Sequence, residues 1–264
     1  MDEKHRLQGV ILIIAREIDR ICRDNNIKYF MDGGTQLGAV RHRGFIPWDD
    51  DFDIGMRRSE FERFVKACRI SLDSKQFYLE TVEDEGYGFS FAKIHLNNTE
   101  IVEDFSKNVR VHHGIFVDVF PYDNIPDAAL NRKIFLMENH LLKNMIWVKA
   151  GYGDDAQKKR MTYKIFNAMS KMIPLSNLKK KRETLIRKYN NRETQYCFTS
   201  DYPQNWLQCG WLDDLVQYQF ETDMFWGMRN CGEFLHMLYG NYMNLPPIEK
   251  RVAHSNYRII FGPY

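Results

Sequence analysis

An apolar run into a Gly-Gly pair, a short helical pattern and then a row of aspartates constrain this chain most. They are Ile27 to Met31, Gly33-Gly34-Thr35 through Val40, and Asp49-Asp50-Asp51-Phe52-Asp53. A strand that enters a helix through glycines gathers backbone N–H groups and the positive helix end at one point, which suits a phosphate. Thr35 is placed to cap that helix, and Gly34 to let the backbone approach the phosphate with φ > 0. The basic run Arg41-His42-Arg43 follows, then Gly44 and Pro47. Alternate residues of a strand share a face, so Asp51 and Asp53 point together while Phe52 and Ile54 pack behind them.

Carboxylates set side by side repel, and a hard divalent cation that also takes phosphate oxygens offsets that repulsion. A third acid is then expected from another strand. Ile115-Phe116-Val117-Asp118-Val119-Phe120 supplies one, inside an otherwise apolar and β-branched run. A single Asp there is costly unless it is paired or on a metal. The residues therefore read as a phosphoryl- or nucleotidyl-transfer site, with Asp51, Asp53 and Asp118 as catalytic groups and metal ligands.

Gly-Gly, a helix, Asp-apolar-Asp and a distant strand Asp together resemble the DNA polymerase β-like nucleotidyltransferase superfamily. Gly33-Gly34-Thr35, Leu37-Gly38-Ala39, Arg41-His42 and Gly44-Phe45-Ile46-Pro47-Trp48 narrow this. The stretch resembles the LicD family of phosphocholine transferases, to which the fukutin-type sugar-phosphate transferases are related. The resemblance recurs at Lys93 with Thr99, at His113 to Pro121, at Leu238 to Met243, at Leu245-Pro246-Pro247 and at His254. It departs at His95, where the family tends to have Arg, and after Glu221, where Met224 to Met228 replaces a Gly and Pro pattern.

The resemblance implies a transferase that uses one or two Mg²⁺ ions, or Mn²⁺ in their place. Its donor would be CDP-choline or another CDP-linked polyol phosphate, with CMP released. Its acceptor would be a sugar hydroxyl on a glycan or lipid-linked sugar, of the kind found in lipopolysaccharide, teichoic acid or capsule. Gly33, Gly34, Thr35, Arg41, His42, Lys93, Glu221 and His254 are then expected to bind substrate, Lys93 by neutralising donor phosphate. A choline headgroup asks for aromatic faces and a carboxylate, and Trp206, Trp211, Tyr218, Phe220 with Glu221, Phe225 and Trp226 are candidates. The rivals are nucleotidyl transfer with pyrophosphate release, and a Ca²⁺-binding structural protein. The second lacks the loop and terminal Glu of an EF-hand.

Lys and Arg number 37 against 35 Asp and Glu, a net charge of +2, too balanced for a protein that grips nucleic acid through many phosphates. At 264 residues and 44% hydrophobic content the chain can bury a large core unaided. Cysteines at 22, 68, 197, 209 and 231 form no Cys-x-x-Cys pair and read as reduced, buried thiols. The N-terminus carries no signal-like run, and no apolar run approaches the ~18 to 20 residues of a membrane span. The expectation is a cytoplasmic protein, at most peripheral at the inner membrane face.

Periodicity predicts a helix over 4–25, strands over 27–31, 51–56, 77–82, 89–96, 100–105 and 114–120, and a helix capped by Ser59 with Glu62. Beyond Pro126 helices dominate, over 128–150, 158–172, 178–190 and 231–243, with short strands at 196–200 and 216–221. The fold class is α+β: a nucleotidyltransferase-like mixed sheet of five or six strands flanked by helices in 1–125, with a mainly helical, aromatic-rich part in 126–264. The Lys179-Lys180-Lys181-Arg182 run reads as a solvated helix face in preference to a lipid or nucleic-acid patch.

Overall fold

The computed structural model describes residues 2–251 and 256–264. Helix α1 (Glu3–Asp24) starts at Asp2, whose side chain accepts from the His5 N–H, and buries Leu7, Val10, Ile11, Ile14, Ile18 and Ile21 on one face. That face lies under a mixed sheet, of which β1 (Phe30–Met31), β2 (Asp53–Arg57), β3 (Phe77–Glu80), β4 (Ala92–Leu96) and β6 (Phe116–Ile125) form the body. The strand order is β1-β2-β6-β4-β3. Helix α2 (Gly33–His42) connects β1 to β2, and α3 (Arg58–Ser71) follows β2. Strand β5 (Glu100–Glu103) stands outside this sheet and pairs with β11 (Asn256–Ile260).

Strand β6 organises the molecule. It runs parallel to β2 from Asp118 to Tyr122, antiparallel to β4 from Phe116 to Val119, and antiparallel to β7 (Tyr196–Thr199) from Tyr122 to Ile125. Sequence periodicity ends this strand at Phe120, because a proline follows. Pro121 is tolerated because it lies at the changeover, in register with neither β4 nor β7. The strand thereby reaches five residues further, and β7 and β8 (Leu207–Gln208) bring the sheet to seven strands.

Helices α4 (Ala129–Lys149), α5 (Asp155–Lys159), α6 (Met161–Ser170) and α7 (Leu175–Ile186) build a second core around Ile125, Phe135, Leu142, Ile146 and Ile186. A hairpin of β9 (Leu215–Phe220) and β10 (Asp223–Met228), then α8 (Cys231–Tyr239), follow before the chain reaches β11. All five cysteines are buried and free.

Two local expectations are corrected. Ser59 does not cap α3, which begins two residues earlier, at Arg58, with Arg57 at the cap and no side-chain cap bond. Buried Arg58 instead ties that end down through a two-pronged pair with Asp123, at 2.8 and 2.6 Å. The basic run on α7 is only half solvated. Lys179 donates to the carbonyls of Val82, Asp84 and Glu85, and buried Arg182 bonds Asn139 and Asp201, while Lys180 and Lys181 are exposed.

Candidate active site

The Gly-Gly turn is fixed from both sides. Asp32 caps α2: one carboxylate oxygen accepts from the Gly33 N–H at 2.8 Å and the other from the Tyr122 hydroxyl at 2.7 Å. Thr35 therefore does not cap the helix. It lies inside it, and its Oγ1 accepts from the Asp53 N–H at 2.8 Å while the Asp32 N–H donates to the Asp53 carbonyl at 2.9 Å. The backbone of Asp53 is thus clamped to the helix start on both of its polar groups. The left-handed conformation falls at Gly33, with φ +46°, and not at Gly34.

Register then brings the charged residues into a row. Asp53 on β2 pairs with Asp118 on β6, Asp118 pairs with Lys93 on β4, and Lys93 pairs with Glu80 on β3. Directly paired residues point to the same face, so four strands present one charged ladder. Lys93 Nζ is 2.8 Å from Asp118 Oδ1 and only 3.2 Å from the Phe116 ring centroid. Glu80 ends the ladder, holding buried His95 at 3.1 Å and accepting from the His112 N–H. His95, at the family departure, is thus a satisfied core residue.

Burial pushes the Asp53 carboxyl well above the usual carboxylate range, and Asp51, Asp118, Asp32 and Asp49 push it further. Asp32 is raised by burial to about 6, against the hydrogen bonds from Tyr122 and Gly33. The Tyr202 and Tyr239 hydroxyls are held protonated by burial and by the same carboxylates.

Two cavities meet at these acids. The larger, about 760 Å³, runs from Asp32 and the Gly-Gly turn past Arg41 and Trp48 to Tyr239, Tyr242 and Lys250. The smaller, about 290 Å³, contains Lys93 and Asp118 and is walled by Phe89, Phe91, Phe105, Phe116 and Trp147, with Glu103. Asp51, Asp53 and Tyr202 line both.

Asp51, Asp53 and Asp118 offer the hard oxygen donors that Mg²⁺ or Mn²⁺ takes, and the raised Asp53 marks a place where added positive charge is favourable. Among the described residues no three His, Cys, Asp or Glu side chains are drawn to metal-ligand spacing, and Asp118 is held by Lys93. The chemistry of the donor set fits a hard cation, with Lys93 supplying positive charge at Asp118.

The other expected binding residues divide. Gly33, Gly34 and Arg41 line the large cavity, and Lys93 the small one. Arg41 spends one nitrogen on the Tyr242 carbonyl at 2.6 Å and contacts His42 at 2.9 Å. His42 edges onto Trp48 and lines neither cavity. Glu221 accepts from the Phe45 N–H and packs against Gly44, away from both. His254 lies outside the described residues. The aromatic candidates are structural: Phe220 and Phe225 interlock with Phe52 in the core, Trp206 stacks edge-on against Tyr196, and Trp211, Tyr218 and Trp226 pack against core clusters. The carboxy-terminal third does line the large cavity, through Tyr202, Asn205, Phe234, Leu238, Tyr239 and Tyr242, of which Tyr202 and Tyr239 stand beside the acids. Asp32, Asp49, Tyr202 and Tyr239 escaped sequence reasoning. Asp32, a strong capping residue just before the glycines, was the one detectable there.

Residues 26–151 match the family model described as LicD/FKTN/FKRP, nucleotidyltransferase domain. The chain is 29% identical over 262 residues to the lipopolysaccharide cholinephosphotransferase LicD of Haemophilus influenzae, covering 94% of both proteins. It is also 40% identical over 42 residues, 16% of this chain and 8% of the relative, to the ribitol 5-phosphate transferase FKRP of Homo sapiens and of Mus musculus. The clamped Gly-Gly turn and the acidic ladder both lie within the matched segment: the chain carries a LicD/FKTN/FKRP-type nucleotidyltransferase domain and is a phosphotransferase similar to LicD along nearly its whole length.

Proposed function

We propose that the protein transfers phosphocholine from CDP-choline to a sugar hydroxyl on a glycan or lipid-linked sugar, at the cytoplasmic side of the cell, and releases CMP. One observation carries this reading: a carboxylate cluster forms the common boundary of two cavities of different chemistry. The larger combines the α2 start with Arg41 and Lys250, which suits a nucleotide and its phosphates. The smaller is an aromatic chamber with a carboxylate, and the Lys93 ammonium over the Phe116 ring illustrates that its wall accepts a cation. A trimethylammonium group has no hydrogen-bonding capacity and is suited to such a wall, whereas a polyol needs polar partners. The Haemophilus relative carries cholinephosphotransferase in its name, and five buried thiols suit a reducing compartment.

In this reading the acceptor oxygen forms a bond to the headgroup phosphorus, the bond from that phosphorus to the CMP oxygen breaks, and the hydroxyl proton passes to a carboxylate, Asp118. Asp51, Asp53 and Asp118 would hold the Mg²⁺, which when bound would supply charge neutralisation at the phosphates. The protein's own share is positioning and fixed charge, the main resources in phosphoryl transfer. The α2 start and Arg41 hold the donor phosphates, Lys93 keeps Asp118 in place, and Tyr202 and Tyr239 offer hydroxyl donors beside the acids.

The test is a side-by-side titration of CDP-choline, CDP-glycerol and CDP-ribitol with Mg²⁺, with products resolved by chromatography. CDP-choline is expected to bind most tightly and to yield CMP. Transfer of the CMP moiety with phosphocholine released, or turnover of CTP with pyrophosphate released, would move the protein to nucleotidyl transfer, and a preference for a polyol donor would move it to the fukutin-like branch.

A further inference from the structure

Helices α4 and α6 turn apolar residues toward solvent. On α4, Leu130, Ile134, Met137 and Leu141 fall at i, i+4, i+7 and i+11, a single stripe, while Phe135, Leu142 and Met145 face inward. Leu130 is 70% exposed and Met137 63%. On α6, Met161, Ile165 and Met169 repeat at every fourth residue on the outer side, and Phe166 packs inward. Just beyond the helix, Met172 is 90% exposed. Isolated apolar residues on a surface are ordinary, but two stripes on adjoining helices make a surface suited to being covered.

Charge indicates what covers it. Residues 156–182 contain nine Lys and Arg and no Asp or Glu, so the rest of the chain is net acidic. Two of the nine, Lys179 and Arg182, are buried, but Lys159, Arg160, Lys164 and Lys171 are exposed on or next to α6 in the chain, and Lys180 and Lys181 on α7. A second copy of this face would meet it with like charge, and a nucleic acid would have no use for the methionines. An apolar face flanked by lysines complements a bilayer with anionic headgroups, the side chains entering the acyl boundary while the ammonium groups stay at the phosphates.

We propose that α4 and α6 form a docking face for an anionic lipid bilayer. The same region supplies Trp147 from α4 and Gln157 from α5 to the smaller cavity, so docking would seat one wall of the site at the membrane. The inference stands on these helices alone and is independent of the donor's identity.

Co-sedimentation of the full chain with vesicles tests it, using phosphatidylcholine alone and phosphatidylcholine mixed with phosphatidylglycerol. Binding to the mixed vesicles, weakened by salt and absent with phosphatidylcholine alone, is expected. Ile165→Glu with Met169→Glu is expected to abolish it, and Lys164→Glu with Lys171→Glu to weaken it by about tenfold or more. Both pairs are exposed, so circular dichroism and Tm should match the parent. No binding to anionic vesicles, equal binding to neutral ones, or undiminished binding by the folded variants would overturn the proposal. So would a parent dimer that Ile165→Glu with Met169→Glu converts to a monomer, since the face would then belong to a second copy.

Discussion

The Lys93 ammonium lies 2.8 Å from the Asp118 carboxylate, and the two residues face each other in direct register on β4 and β6. Both side chains are largely buried, so removing one leaves a charge without its counterpart. Lys93→Met is expected to cost about 3 kcal/mol of stability without divalent metal. Because a bound cation can replace the lost ammonium, Mg²⁺ should raise the Tm of Lys93→Met more than that of the parent. Thermal unfolding with and without Mg²⁺ decides it; an equal rise in both proteins would mean that Lys93 and the ion do not serve the same carboxylate.

Asp53 is crowded by four other carboxylates. Asp53→Asn should therefore raise the metal-free Tm at pH 7 while removing activity. Losing about 4 kcal/mol of transition-state charge stabilisation corresponds to about a thousandfold in rate. Asp51→Asn and Asp118→Asn should lose activity to a similar degree. Near-parental turnover in any of the three, at saturating Mg²⁺, removes that residue from the catalytic set.

The raised carboxyls also set a pH dependence. An Asp whose pKa is higher folded than unfolded stabilises the fold fully below about 4 and loses that contribution as pH rises through its folded value. For Asp32 that window runs from about 4 to about 6; for Asp53 it extends higher. Relative to the parent, Asp32→Asn should gain roughly 2 to 3 kcal/mol between pH 4 and pH 8. Denaturant titrations at both pH values measure this, and a pH-independent difference would refute the raised Asp32 pKa.

The two glycines should respond differently. Gly33 sits at φ +46°, so Gly33→Ala is expected to cost about 1 kcal/mol. At Gly34 an added Cβ would come 3.0 Å from Asp49 Oδ2 and 3.9 Å from the Tyr239 hydroxyl, inside the large cavity. Gly34→Ala should therefore weaken donor binding more than stability, as read by titration calorimetry beside a melting curve.

Much of this site was legible in the residues because its parts are local. Glycines before a helix, and acids inside apolar strands, have few other uses, and they led to Asp51, Asp53 and Asp118, although β2 begins only at Asp53 and leaves Asp51 ahead of the strand. Register was not legible: which strand lies beside β6 depends on the whole sheet, so the pairing of Lys93 with Asp118 could not be read from positions far apart in sequence. The aromatics misled for a different reason. Phe220 in the core and Phe116 in the chamber are the same residue type, and only burial separates them. Thr35 and Asp32 are both good caps, and the choice between them turned on where the helix begins by three residues.

The changeover along β6 has a consequence for how such enzymes diverge. The acids and the Gly-Gly turn lie in 26–151, but β7 completes the β6 ladder, and the rest of the large cavity's lining comes from positions between 199 and 250. In the proposed reading the acids and the headgroup chamber therefore lie in the first part, and the nucleotide cavity draws its remaining wall from the second. A graft confined to the first part would carry five of the seven strands and an incomplete nucleotide cavity. Exchanging 199–250 between relatives, with β6 left intact, is the transplant that should alter how the nucleotide is held while leaving the acids and most of the headgroup chamber unchanged.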